Sequence, residues 1–204
     1  MKKHLVLLTG NLGVGKTSLA EGVGQRMGWY IGHESVADNP YLADFYQDMP
    51  TWSFHLQIFF LGHRIEQHLA ATAAPQPAIL DRSIYEDAYI FAKALHTKGN
   101  ITDRDYQAYL KVFQYIEKTL APPTLLVYLK APMDVLLQRI KKRGLGIDHN
   151  LSKEYLEMID CFYEQWLAEF SVCPVLRIDT ESLDYVNNRD DLDAVIQLIQ
   201  EKLP

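Results

Sequence analysis

The sequence predicts an α/β protein, a three-layer sandwich in which one five-stranded parallel sheet lies between layers of helices. Two observations carry this. Apolar runs of strand length recur at His4 to Thr9, Tyr30 to Glu34, Ala78 to Asp81, Thr124 to Leu129 and Val175 to Asp179, and they are continuous rather than alternating, as strands buried on both faces require. The segments between them show helical periodicity and helical punctuation, and strand alternating with helix is the pattern of a parallel sheet. At 204 residues the chain is long enough for one domain with a full core and short for two, so residues 1–204 are read as a single unit.

Taken in order, "MKKHLVLLTGNLG" sets two lysines before an apolar run. That run lasts only from Leu5 to Leu8 before glycine interrupts it, so it reads as a strand rather than a leader peptide, and no run reaches the length of a membrane span. A helical run follows the glycines. The second strand ends at Glu34, and a helix begins near Pro40. In "FYQDMPTWSFHLQIFFLGHRIEQ" the residues Phe54, Ile58, Leu61, Ile65 and Leu69 predict an apolar stripe, with Gln57 and Arg64 on its flank. "ATAAPQP" ends that helix, and the third strand runs into Asp81 and Arg82. Thr102 with Asp105 opens a further helix, which Pro122 and Pro123 stop; Pro132 and Gly144 bracket another, and Ser152 opens one before the fifth strand.

Composition narrows the function. The chain is 48% hydrophobic and 23% charged with a formal net charge of -6, a poor basis for gripping a nucleic-acid backbone over a wide surface. Cys161 and Cys173 form no C-x-x-C pattern, so neither a disulfide framework nor a zinc site is expected, and a reducing cytoplasm fits. The seven histidines show no paired ligand spacing, and His33 reads as a polar strand-end residue.

The informative motif is "GNLGVGKTS", which runs from Gly10 through Asn11, Leu12, Gly13, Val14 and Gly15 to Lys16, Thr17 and Ser18. It is the G-x-x-x-x-G-K-[ST] phosphate loop in its proper setting, directly after a strand and before a helix. Glycines let the backbone wrap a phosphate chain, the helix N-terminus adds its dipole, Lys16 reaches the terminal phosphates and Thr17 ligates Mg²⁺. A nucleoside triphosphate, ATP or a similar donor, is the expected cofactor. No N-K-x-D segment follows a later strand, which disfavours a GTPase-type switch and leaves transfer or hydrolysis.

In a parallel sheet the loops at the carboxyl ends of strands share one crevice, so the phosphate loop, Glu34 and Asp81 should meet there. A carboxylate at Glu34 would orient a hydroxyl nucleophile and take its proton; its other use would be to cap the helix near Pro40. Gln57 and Arg64, seven residues apart, stand within about 20° of each other around a helix axis and offer an amide and a guanidinium together, or else are solvated boundary residues. Arg139 and Arg143 lie i,i+4 on one helix face, suited to charge on a transferring phosphoryl group or to complementing the helix C-terminus.

In order and spacing, Glu34, the series Tyr46, Trp52, Gln57 and Arg64, then D-R-S with Asp87 and Phe91, then Arg139 to Gly144, resemble the deoxyribonucleoside kinases over nearly the whole chain. "ESVADNPYL" resembles most the bacterial deoxyadenosine and deoxyguanosine kinase branch. The resemblance implies a P-loop nucleoside kinase fold, a homodimer, and transfer of the γ-phosphate to the 5′-hydroxyl of a deoxyribonucleoside, a purine one, in nucleotide salvage. It makes Glu34 the base, with Arg82 holding both that hydroxyl and the carboxylate. Asp81 would serve Mg²⁺ beside Thr17. Gln57 would bond the base, Arg64 and Asp87 would pair to shape its pocket, and Phe91 would lie against it; Tyr46 and Asp148 match positions that hold the 3′-hydroxyl. "RIKKRGLG" matches a lid, spanning about 139–150, with Arg139 and Arg143 on the donor phosphates, and "DTESLDY" resembles the loop at the donor base. Leu145 stands where some relatives carry a third lid arginine, and Asn39 where others have tryptophan. The rival readings are a nucleoside monophosphate kinase, which would need added cations at the acceptor, and a non-catalytic structural relative, which would have no use for Lys16, Thr17, Glu34, Asp81 and Arg82 together.

Overall fold

The structure is a computed structural model that describes residues 3–33, 39–144 and 152–204, and of Arg143 the backbone alone. Glu34, Leu145 and Asp148 lie outside the described residues. Five strands form one parallel sheet: β1 (Leu5–Gly10), β2 (Tyr30–Gly32), β3 (Ala78–Asp81), β4 (Leu125–Lys130) and β5 (Val175–Asp179), in the order β2-β3-β1-β4-β5. Each expected strand is present: β3 and β5 have the expected bounds, and β1, β2 and β4 differ at their ends by one or two residues. The register sets Leu8 beside Asp81 and Gly10 beside Leu129, so the ends of β1, β3 and β4 open on one edge of the sheet.

Alternate residues of each strand feed opposite layers. Leu5, Leu7, Leu80, Leu126 and Tyr128 pack with α3 (Met49–Ala73), α6 (Asp103–Thr119) and α8 (Lys153–Glu169), whereas Val6, Leu8, Ile79, Val127 and Leu129 pack with α1 (Lys16–Met27), α7 (Met133–Arg143) and α9 (Arg189–Lys202). Both faces are buried, and this is why the strands read as unbroken apolar runs.

Helix ends follow the sequence signals. Thr102 caps α6, accepting from the Asp105 amide at 3.2 Å and donating to its carboxylate at 2.7 Å. Ser152 caps α8, Gly144 closes α7 in the left-handed region, and α6 ends before Pro122. The helix expected near Pro40 is the short α2 (Leu42–Gln47), which starts two residues beyond that proline. After β3 the chain forms α4 (Ile84–Glu86), a π-helical stretch π1 (Asp87–Ala92) and α5 (Lys93–Thr97) as one continuous run.

One expectation is corrected. The predicted apolar stripe of α3 is only partly its buried face: Leu61 is buried and Phe54 and Ile65 pack against the core, but Ile58 is 38% and Leu69 52% exposed, while Ser53, Leu56, Gln57, Arg64, His68 and Ala71 are buried. The buried face therefore mixes core residues with polar ones. Hydrophobic periodicity sets the stripe to one side of the true buried face, and Gln57 and Arg64 are buried rather than solvated.

Candidate active site

The phosphate loop is shaped by close approaches. Gly10 (φ 142°) leaves β1 where a Cβ would overlap the Leu129 carbonyl, and Gly15 (φ 102°) caps α1 where a Cβ would overlap the Tyr185 hydroxyl. Only glycine fits these two positions. Lys16 is buried within the loop and donates to the Gly10 carbonyl at 2.7 Å and the Asn11 carbonyl at 3.0 Å. Asn11 ties the loop to α8 through a 2.9 Å bond from Nδ2 to the Leu156 carbonyl, while its Oδ1 accepts from the Leu12 amide. These contacts pre-form a cradle at the α1 N-terminus, where amides and dipole favour phosphate.

Thr17 and Asp81 come together as the sequence suggested. The Thr17 hydroxyl donates to Asp81 Oδ2 at 2.5 Å, and Asp81 is fully buried with Oδ1 lacking a hydrogen-bond partner. A hydroxyl beside a carboxylate with one oxygen in reserve, at the mouth of a phosphate cradle, fits a Mg²⁺ that takes its other ligands from phosphate and water.

Arg82 follows directly, and it is the one non-glycine residue with positive φ (77°) among the described residues. That conformation costs on the order of 1–2 kcal/mol and turns the chain sharply from β3 into α4. The Arg82 guanidinium lies 4.5 Å over the Phe91 ring and 3.9 Å from Glu86.

The acceptor side is built on α3 and π1. Arg64, almost wholly buried, places Nε 3.5 Å from Asp87 Oδ2 and donates from Nη1 to Gln67 at 3.1 Å and to the Asp81 carbonyl at 3.3 Å. Gln67 in turn donates to the carbonyl of His33, the residue before Glu34 in the chain. About two turns back on the same face, Gln57 is buried with Oε1 lacking a hydrogen-bond partner. An amide left unsatisfied beside a charged pair is costly unless a ligand completes it. Tyr46 is half-buried, and burial, with Tyr46 adding to it and Arg82 opposing it, pushes the Tyr155 phenol up to about 12. Asn39 is buried, its Oδ1 accepting from the Tyr41 amide and its Nδ2 without a partner. π-Helical turns occur often at functional sites, and π1 carries both Asp87 and Phe91.

On the donor side a cleft of about 790 Å³ runs along the loop from Leu12 to Ser18, bounded by Arg82, Arg139, Lys142 and the segment Glu181 to Asn187. The "DTESLDY" segment thus forms a wall of the donor cleft. Arg139 holds this wall: its guanidinium donates to Thr180 Oγ1 at 3.0 Å, the Thr180 carbonyl at 2.6 Å and the Val14 carbonyl at 3.4 Å. The Tyr185 hydroxyl lies 3.1 Å from both the Val14 and the Gly15 carbonyls and has one proton to donate between them, and burial pushes that phenol up to about 12, so it stays a donor.

Sequence reasoning missed Glu86 and Tyr163, and reached Thr180 and Tyr185 only as members of "DTESLDY", without the contacts each makes. Glu86 left a trace, since it stands four residues after Arg82 in a helical run. Tyr163 left none; one apolar-face tyrosine looks like another.

A strand–loop–helix phosphate cradle, a hydroxyl–carboxylate pair at its mouth and a buried polar pocket across the sheet edge define a P-loop phosphotransferase. The chain belongs to the deoxynucleoside kinase family, whose profile it matches over residues 6–204. It is 36% identical to the deoxyadenosine/deoxycytidine kinase of Bacillus subtilis (strain 168), covering 97% of this chain and 92% of that one, and 33% identical to the deoxyguanosine kinase of the same organism, covering 96% of each. The solved deoxyadenosine kinase of M. mycoides with products dCMP and a flexible dCDP bound superposes with a TM-score of 0.81 at 25% identity, over 97% of this chain and 99% of that one.

Proposed function

We propose that this kinase transfers the γ-phosphate of ATP, or of a similar triphosphate, to the 5′-hydroxyl of a purine deoxyribonucleoside in nucleotide salvage. The observation that carries the reading is the buried Arg64–Asp87 pair beside the unsatisfied Gln57 amide, on the same sheet edge as the Thr17–Asp81 contact. A base pocket and a phosphate cradle that share one crevice suit a nucleoside acceptor.

In this reading the loop amides and Lys16 grip the donor phosphates, and Thr17 and Asp81 hold Mg²⁺, which supplies positive charge against the phosphate oxygens. Glu34 orients the 5′-hydroxyl and takes its proton, while Arg82 holds the hydroxyl and offsets charge that grows in the transition state. Arg143, from the lid, adds to that charge, and Arg139 keeps the donor wall in place. Gln57 completes its hydrogen bonds on the base edge; Tyr46 and Asp148 hold the 3′-hydroxyl. The names of the relatives, deoxyadenosine/deoxycytidine kinase and deoxyguanosine kinase, support an acceptor range that includes the purine deoxynucleosides, and the first name adds deoxycytidine, a pyrimidine, to the range to be tested. We place the enzyme in the cytoplasm as a homodimer. Exposed Ile58 and Leu69 on α3, with Val112 and Tyr115 on the adjoining α6, support a protein-covered face, and sedimentation at micromolar concentration tests it.

The test is Glu34→Gln assayed on a panel of deoxynucleosides, ribonucleosides and nucleoside monophosphates. Nucleoside binding should persist while most turnover is lost, and the native chain should phosphorylate purine deoxynucleosides in preference to monophosphates. An unchanged kcat overturns the role of Glu34; preference for monophosphates overturns the assignment of the acceptor.

A further inference from the structure

Glu86 is fully buried at the end of α4, and none of the roles above uses it. Its Oε1 lies 2.6 Å from the Tyr163 hydroxyl, and that hydroxyl lies 2.9 Å from the carbonyl oxygen of Gly10, at the root of the phosphate loop. Both are ordinary O–H···O lengths. A phenol carries one proton and a carbonyl none, so two such bonds in a row need a second proton, and the atom placed to bring it is the Glu86 carboxyl.

We propose that Glu86 is held as the neutral acid, donating to Tyr163, which donates to Gly10, so that the three form a strut between the phosphate loop and the base-binding helix. Glu86 is then a positioning residue. The proposal rests on the phosphotransferase reading of this crevice.

The surroundings agree with this state. The groups facing Glu86 are Arg82 at the exit of β3, Lys16 on α1, Arg64 on α3 and Tyr163 on α8. Burial pushes the carboxyl above its ordinary range despite the opposing pull of Arg82, Lys16, a hydrogen bond with Tyr163, and Arg64. Burial pushes the Tyr163 hydroxyl well above its ordinary value, so the phenol keeps its proton. Arg82 stands 3.9 Å from Oε1, too far for a hydrogen-bonded ion pair, and lies against Phe91 instead; Glu86 Oε2 has no hydrogen-bond partner. An ionised carboxylate would draw a guanidinium into close bidentate contact. A neutral one leaves the positive field of Arg82 and Lys16 available to phosphate charge.

The strut joins the two halves of the reaction. Gly10 begins the donor cradle, and Glu86 directly precedes Asp87 and lies five residues before Phe91. Loosening it displaces donor and acceptor relative to each other without removing a contact to either. Misplacement by about 1 Å is enough to cost on the order of 100-fold in rate.

The experiment compares Glu86→Gln, Glu86→Ala and Tyr163→Phe in the full chain, by kcat, by KM for ATP and nucleoside, and by infrared absorption of protonated carboxylic acid. The Gln amide donates to Tyr163 as the acid does, so Glu86→Gln should keep kcat within about threefold. Glu86→Ala and Tyr163→Phe should lose about 10- to 100-fold in kcat, with both KM values within about threefold. The native chain should show the carbonyl stretch of a buried acid that Glu86→Gln lacks. Loss of activity in Glu86→Gln equal to that in Tyr163→Phe, or absence of the acid band, overturns the proposal. If Glu86→Ala does not fold, the Gln and Phe variants decide alone. A native chain inert toward every nucleoside defeats the reading of the site, whereas the infrared band still reports on Glu86.

Discussion

Asp87→Ala separates recognition from packing, because the carboxylate it removes faces a guanidinium with almost no access to water. The side chains of Arg64 and Asp87 are 2% and 5% exposed. Breaking such a pair strands a buried charge, at a cost of about 3–5 kcal/mol. Arg64 keeps its bonds to Gln67 and to the Asp81 carbonyl, which argues for the lower end, about 3 kcal/mol. In a chain of this size each kcal/mol moves Tm by about 2–4 °C, so the variant should melt about 6–12 °C below the native chain. Arg64→Met with Asp87→Ala removes both charges and should recover part of that loss. If the pair shapes the base pocket as proposed, the kinetic consequence is a changed ranking of nucleosides by kcat/KM. Scanning calorimetry with a panel of deoxynucleosides measures both. A fall in Tm below about 2 °C, with the ranking intact, would refute the claim that this pair is a buried determinant of specificity.

Three further outcomes are expected. Arg82→Ala should depress kcat for every nucleoside, most for the base that seats best against Phe91, and steady-state assays that show kcat unchanged for any accepted nucleoside would remove Arg82 from the reacting end. Tyr185→Phe removes the hydroxyl that holds the Val14 and Gly15 carbonyls, so KM for ATP should rise several-fold while stability falls by only about 1 kcal/mol; an unchanged KM would leave that tyrosine a purely packing role. The raised carboxyl of Glu86 binds a proton in the folded chain that the unfolded chain releases above its ordinary value of 4.5. Its contribution is therefore fully present below that pH and is lost as pH rises through the folded value. The Tm of Glu86→Gln minus that of the native chain should grow with pH from about 4.5 upward, and a flat difference would contradict the raised value.

The fold was legible because burial on both faces writes itself into the chain as five uninterrupted apolar runs, and because Thr102, Ser152 and Gly144 are local signals with local geometry. The phosphate loop was legible for the same reason: its glycines answer to contacts within a few residues and to the neighbouring strand. What escaped was set by distant chain. α3 misled in part because periodicity assumes that the inward face is apolar, whereas here that face also carries Gln57 and Arg64 and leaves Ile58 and Leu69 outside. Tyr163 escaped, and with it the contact of Tyr185, because each acts on loop carbonyls more than 150 residues away in sequence, which no local pattern records.

The charges of "DRSIYED" divide by sequence into a reacting end, Asp81 and Arg82, and a recognition end, Asp87 and Phe91, but the structure ties the two ends together. Arg64 reaches Asp87 with Nε and the Asp81 carbonyl with Nη1, so the guanidinium proposed to shape the base pocket also braces the strand end that carries Asp81, the carboxylate proposed for Mg²⁺. Arg82 leans on Phe91, so the cation of the reacting end rests on the ring of the recognition end. A base that seats poorly against Phe91 therefore disturbs the support under Arg82. This is a physical route by which a correct base raises kcat as well as affinity, because part of its binding free energy is realised only when the reacting cation is in place. Discrimination among nucleosides should then be spread over both kinetic constants, in contrast to a pocket that acts through binding alone.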